Sequence, residues 1–156
     1  MQLFGGRATE SPAEFWRKTA EKRGGPIGFV SFATYLGASG SGIQELSGLL
    51  YDVGGTIWFE DFERDNWLSR IVRSRTSYEK TEFSFSRADA RFARMVRRRG
   101  ALRALTGPSE DALAPATFWS RVFSTPILQV KMKDGSSLFF DLLLKKEFLA
   151  LFPRDG

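Results

Sequence analysis

The sequence predicts a mainly β, α+β fold, and three observations carry that prediction. Gly54-Gly55 separates two β-rich runs, Leu49 to Val53 and Thr56 to Phe62, and a two-residue glycine loop between such runs is a strong hairpin signal. Leu128, Val130 and Met132 alternate with Gln129, Lys131 and Lys133, after which Asp134-Gly135 supplies a turn and Leu138, Phe140 and Leu142 continue the alternation. That is the period of half-buried strands on either side of a tight loop. Phe148, Leu149, Leu151 and Phe152 then fall at helical spacing before Pro153, which gives a short amphipathic helix after the last strand.

Taken in order, the first element is a helix. Ser11 and Glu14 form an S-x-x-E capping box, Pro12 occupies the first helical position, and Phe15, Trp16 and Thr19 share one face until Gly24-Gly25-Pro26 stops it. Ile27 to Leu36 is a nearly apolar stretch of ten residues, short of the ~20 that a membrane-spanning helix needs. We count it with the helix, so that residues 1–36 form an N-terminal helical extension and residues 45–152 the β body of a single domain spanning 1–156.

In the glycine hairpin, pairing Val53 with Thr56 makes Tyr51 face Trp58 on one side and Leu50 face Phe59 on the other. Both faces then carry large apolar groups, so one side belongs to the core and the other lies under another segment. Trp67, Leu68, Ile71 and Val72 predict a short helix, and Tyr78 to Phe85 a strand. For Ser86 to Arg99 the local pattern favours a helix capped by Ser86, with Phe92, Met95 and Val96 on its apolar face. A strand there needs a bulge to hold those three on one side. Residues 106–117 predict a long loop, and Phe118 to Phe123 is again apolar.

Composition narrows the chemistry. The chain of 156 residues has no Cys and no His, which excludes a thiolate nucleophile, an imidazole base, a Ser-His-Asp triad and the usual Cys/His zinc site. No cofactor is implied. Without a disulfide framework or an apolar leader near Met1, the expectation is a soluble, cytoplasmic protein without a transmembrane segment. Gly37 to Gly42 has the G-x-x-x-x-G spacing of a phosphate loop, but Ile43-Gln44 stands where Lys and Ser/Thr are needed, so it reads as a connector. Glu60, Asp61, Glu63 and Asp65 form a dense carboxylate run with no second acidic cluster to complete a metal shell, and it reads as a solvated strand end.

The order of hairpin, strand, contested segment, loop, strand, Asp-Gly hairpin and closing helix resembles the pleckstrin-homology-like superfold, including bacterial PH-like and GRAM-like domains. The residues that carry the likeness are Ile127-Leu128-Gln129-Val130, Asp134-Gly135, Leu138-Phe139-Phe140 and Lys146-Glu147-Phe148-Leu149. The resemblance implies an antiparallel half-open barrel of about seven strands, closed by a C-terminal helix, with the N-terminal helix as an addition. It implies a binding module without catalysis. Members that bind phosphoinositides carry basic residues around the first hairpin loop, whereas Val53-Gly54-Gly55-Thr56 has none.

Charge supplies the functional expectation. Arg70 to Arg103 holds eleven basic and three acidic residues, a net +8, while the remainder of the chain is net −3. Arginine's planar fork suits bidentate contact with phosphate or carboxylate, and the expected anion-binding residues are Arg91, Arg94, Arg97, Arg98 and Arg99. The function read from this is an interaction module for a protein, peptide or anionic surface, with an anionic membrane surface among the partners. The alternative is nucleic-acid binding through residues 70–103, where phosphate neutralisation provides most of the affinity.

Overall fold

The computed structural model describes residues 11–61, 82–107 and 125–152. Helix α1 (Pro12–Arg23) begins as the capping box dictates: the Ser11 hydroxyl accepts the Glu14 amide at 3.2 Å. It ends at Gly24, whose φ of 80° lets its N–H donate to the Ala20 carbonyl, a left-handed stop that glycine adopts without strain.

Seven strands follow: β1 (Ile27–Ala38), β2 (Leu46–Val53), β3 (Thr56–Asp61), β4 (Glu82–Ser86), β5 (Ala90–Val96), β6 (Ile127–Met132) and β7 (Ser137–Leu142). They form one antiparallel sheet in the order β4-β3-β2-β1-β7-β6-β5. Two further helices, α2 (Arg98–Thr106) and α3 (Lys145–Leu149), complete the described elements. The glycine hairpin has the expected register, with Val53 opposite Thr56, Tyr51 opposite Trp58 and Leu50 opposite Phe59.

Two sequence expectations are corrected. Residues 27–36 are not part of a helical extension: they belong to β1, bonded to β2 on one side and β7 on the other. Phe29, Ala33 and Tyr35 enter the main core while Leu36 joins a second cluster on the opposite face. Its enclosed face carries Phe29, Ala33 and Tyr35 and its outer face Val30, the exposed Phe32 and the buried Leu36, so large apolar groups stand on both faces and the apolar–polar alternation of a half-buried strand is lost. Residues 86–99 are not a continuous helix either. The Ser86 hydroxyl caps only the 3-10 turn Arg87–Asp89, β5 follows, and the helix starts at Arg98. A bulge does occur, between Ala90 and Phe92, but it does not gather the three apolar residues: Met95 lies opposite Leu128, whereas Phe92 and Val96 lie opposite Lys131 and Ile127. The expected strand Tyr78 to Phe85 is described only from Glu82, and the loop after 107, the helix near Trp67 and the run Phe118 to Phe123 lie outside the described residues.

The sheet folds over on itself. Four strand spacings separate β4 from β7, about 19 Å in a flat sheet at roughly 4.8 Å per step, yet the rings of Phe83 and Phe140 are 6.3 Å apart. The enclosed face gathers Phe29, Leu50, Ile57, Phe59, Leu128, Val130 and Phe140 into one core. Helix α3 sits against it, with Phe148 fully buried 5.6 Å from Phe29 and 5.2 Å from Phe152.

The outer face is covered in two places. Helix α2 lays Ala101, Ala104 and Leu105 on Leu36, Val96, Ile127 and Phe139. Helix α1 covers β2 and β3, where Trp16 meets Tyr51 edge-on at 5.6 Å. The second side of the hairpin is therefore covered, as its sequence required.

Candidate functional site

The basic residues of the second half of the chain are placed by β5 and by the start of α2. Among the described residues, β5 is the end strand of the sheet. Arg91 is exposed at the bulge. Arg94 is half-buried: its Nε donates to Gln129 Oε1 at 2.9 Å, and its guanidinium lies 5.1 Å from the centre of the Phe92 ring. Gln129, almost fully buried, passes the contact on by donating to Ser137 Oγ at 2.9 Å. Arg94 is thus held in one orientation, the kind of fixed group that recognition needs.

Arg97 occupies the N-cap of α2 and is exposed. Arg98 turns instead to Asp141 at 3.1 Å, a carboxylate that also holds Lys145 at 3.2 Å. Arg99 is exposed, as is Arg103, which shares its helix face four residues on. Of the five residues named from sequence, the structure places Arg91, Arg94 and Arg97 along one strand and its end, with Arg99 beyond them, and diverts Arg98 into an ion pair. Arg103 was not named because the helix holding it was not expected; the spacing of Ala101, Ala104 and Leu105 is the signal that marks it. Among the described residues, Arg91, Arg97, Arg99 and Arg103 enter no ion pair.

Next to Arg98 lies a groove of about 540 Å³ lined by Phe32, Thr34, Ser47, Asp141, Leu143 and Lys145 among others. Phe32 is 60% and Leu143 72% exposed, large apolar side chains on a part of the sheet that neither α1 nor α2 covers.

The glycine segment after β1 is a connector with a defined job. Gly40 N–H donates to the Ala104 carbonyl at 3.0 Å and Gly42 N–H to the Leu105 carbonyl at 2.7 Å. Amides that would cradle a phosphate are committed to the C-terminal carbonyls of α2, which need such partners.

The carboxylate run is corrected. Glu60 and Asp61 are buried at 8% and 5% exposure and are not a solvated strand end; Glu63 and Asp65 lie outside the described residues. Glu60 Oε2 accepts from the Tyr51 hydroxyl at 3.0 Å, and Glu60 Oε1 from Arg23 at 3.3 Å. Arg23 also donates to Tyr51 Oη at 3.1 Å and to Glu82, and its guanidinium lies 3.6 Å over the Trp58 ring. Lys22 Nζ approaches the other oxygen of Glu82 at 3.8 Å. Burial pushes the Tyr51 hydroxyl up to about 12, against the pull of Arg23. Burial also pulls Glu82 upward, but the bond and charge of Arg23 outweigh it and leave Glu82 below the ordinary carboxylate range. No sequence signal joined these residues, since Arg23 and Glu82 are brought together only by the docking of α1.

Among the described residues no group of three His, Cys, Asp or Glu side chains gathers to hold a metal ion, and no helix is long and apolar enough to cross a membrane. No protein-family profile and no curated protein matches the chain. Its structure is similar to the crystal structure of the C-terminal domain of an unknown protein from Leishmania infantum, at 10% sequence identity and a TM-score of 0.48, over 88% of this chain and 90% of the other.

Proposed function

We propose that the chain is a non-catalytic interaction module whose β5–α2 edge engages an acidic protein or peptide segment. The observation that carries this reading is the set of exposed arginines, Arg91, Arg97, Arg99 and Arg103, contributed by one continuous stretch of chain and free of ion pairs among the described residues. Surface charges of one sign without partners are costly to assemble and useful for attracting the opposite sign. The neighbouring exposed Phe32 and Leu143 favour a protein partner over a bare polyanion, because apolar patches rimmed by charge suit protein contacts. A pleckstrin-homology-like fold is consistent with this role. In support of that fold, the strands that are consecutive in sequence, β4 and β5, are the two end strands of the described sheet, and the C-terminal helix is seated on the enclosed core.

Nucleic-acid binding through the same arginines is the second reading, favoured by the exposure of Arg91, Arg97, Arg99 and Arg103 on one stretch of chain, where phosphate neutralisation would provide most of the affinity. NMR titration of the labelled full chain with a polyglutamate peptide, a DNA duplex and phosphatidylserine vesicles separates the possibilities. Shifts at Arg91, Arg97, Arg99 and the Phe32 groove with the peptide support the first reading. Shifts confined to the arginines with DNA alone move the assignment to nucleic acid, and no shift with any of the three removes the anionic partner altogether.

A further inference from the structure

A second surface has the opposite chemistry. On the outer face of β2 and β3, Trp58 supplies a flat ring, Tyr51 a hydroxyl, and Glu60 and Glu82 two carboxylates, and all four close around one guanidinium. The Arg23 side chain is only 7% exposed there. Each part suits arginine in a distinct way. The ring attracts a cation over its face, while the edges of the planar fork reach three oxygen acceptors at once, which a lysine ammonium on its flexible stem does not do in the same plane.

The helix that delivers this arginine buries few apolar groups among the described residues. Thr19 is the buried residue of α1, Phe15 and Trp16 are half-exposed, and the remaining face is polar. The helix joins the sheet through Gly24-Gly25, where both amides donate to the Ala20 carbonyl, at 2.9 and 3.1 Å, and a Cβ at Gly25 would stand 3.2 Å from Val53, so the helix end that carries Arg23 is set against the sheet. Arg23, the pairing of Lys22 with Glu82 and the contact of Trp16 with Tyr51 contribute to the docking of α1. Removing the guanidinium would take from the two carboxylates and the aromatic face the cation they share, with Lys22 still 3.8 Å from Glu82.

We propose that this face is an arginine-recognition site, occupied in the resting chain by Arg23 of α1, and that an arginine-bearing helical peptide from a partner competes with α1 for it. Helix α1 then acts as an internal stand-in for the ligand, and binding in trans releases it. This site is separate from the basic β5–α2 edge and carries the opposite charge, so its test does not depend on that reading.

The test uses the full chain with Arg23→Ala, titrated with ethylguanidinium chloride and, at matched ionic strength, with ethylammonium chloride. The readout is the Trp58 indole N–H resonance, assigned by its loss in Trp58→Phe. The expected result is a saturable shift with ethylguanidinium, about tenfold weaker affinity for ethylammonium, which corresponds to about 1.4 kcal/mol, and no saturable shift in the wild-type chain, where Arg23 fills the site. Adding Glu60→Gln to the Arg23→Ala chain is expected to abolish the shift. A response that rises linearly with either cation, or equally for both, or equally in the wild type, overturns the proposal. Where Arg23→Ala fails to fold, Arg23→Met keeps the apolar stem without the charge and takes the same titration, and absence of a saturable guanidinium shift in it overturns the proposal as well.

Discussion

Arg87, in the turn between β4 and β5, stands 3.6 Å from Asp52 at the end of β2, so the turn that joins the two end strands of the described sheet is tied to the first hairpin. The same side chain donates to the Leu151 carbonyl at 3.0 Å, and its backbone N–H donates to the Gly55 carbonyl at 2.9 Å. One residue thus connects that turn, the glycine hairpin and the segment after α3.

Loss of that side chain leaves a carboxylate of 9% exposure without its cation. Arg87→Ala is expected to lower stability by about 2 kcal/mol, within the range for bonds to charged groups. Asp52→Asn is expected to cost less, because its side-chain oxygen still accepts the Gly55 amide, now at 3.0 Å. Urea denaturation of both variants checks this; equal midpoints for Arg87→Ala and the wild type would remove the connecting role.

Phe148 is fully buried in the enclosed core between Phe29 and Phe152. Phe148→Ala empties an aromatic site that the curved sheet cannot readily collapse around, and is expected to cost about 3 to 5 kcal/mol. The denaturation midpoint should fall with little change of slope. An unchanged midpoint would mean that α3 contributes nothing to closing the core.

The Arg23 cluster makes stability depend on pH at both ends. Glu82 has a folded pKa below its ordinary 4.5, so its pairing stabilises fully above that value and the contribution is lost as pH falls from there through the lower folded pKa. Tyr51 has the opposite sign: its folded pKa of about 12 exceeds the ordinary 10.0, so its contribution is complete below 10 and is lost as pH rises toward 12. The stability difference between wild type and Glu82→Gln should shrink on acidification. Relative to Tyr51→Phe, the wild type should lose stability between pH 10 and 12. Denaturation series across both windows read the two effects, and parallel pH profiles for the variants and wild type would contradict them.

What was legible in the sequence follows from which elements carry their own signal. The two hairpins did: Gly54-Gly55 fixes loop length and hence the observed pairing of Tyr51 with Trp58, while Asp134-Gly135 marks the place of the second turn but not its register, which sets Lys131 opposite Ser137. Helix α1 did, because its cap is local to Ser11 and Glu14. Strand β1 did not, because large apolar side chains stand on both its faces, the exposed Phe32 among them, and the period-two alternation is lost. Strand β5 did not, because Ser86 offers a helix cap that the chain uses for only one 3-10 turn before pairing with β6 supersedes it. Charge density alone named Arg91, Arg97 and Arg99, which are exposed, whereas the pairing of Arg98 with Asp141 and the burial of Glu60 arise from contacts between segments far apart in the chain.

That pairing decides which arginines to test. Arg98 and Asp141 are respectively 39% and 32% exposed at the side chain, so their ion pair is worth little to stability but engages the guanidinium. Arg97 and Arg99 flank it without such a partner among the described residues, and Arg91 stands at the bulge of the end strand. The triple substitution Arg91→Ala, Arg97→Ala and Arg99→Ala therefore removes exposed charge without opening the core, and stability should change by no more than about 0.5 kcal/mol per site. Binding should respond differently. Retention on heparin should fall, and affinity for a polyglutamate peptide should weaken and lose part of its salt dependence, whereas Arg98→Ala alone should change either less than Arg99→Ala does. If DNA is the ligand, the slope of log affinity against log salt flattens by roughly 0.9 for each phosphate contact removed. Wild-type protein whose binding to heparin, peptide and DNA is insensitive to the triple substitution would show that the exposed arginines are solvated charge and that recognition, if any, lies at the Phe32 groove.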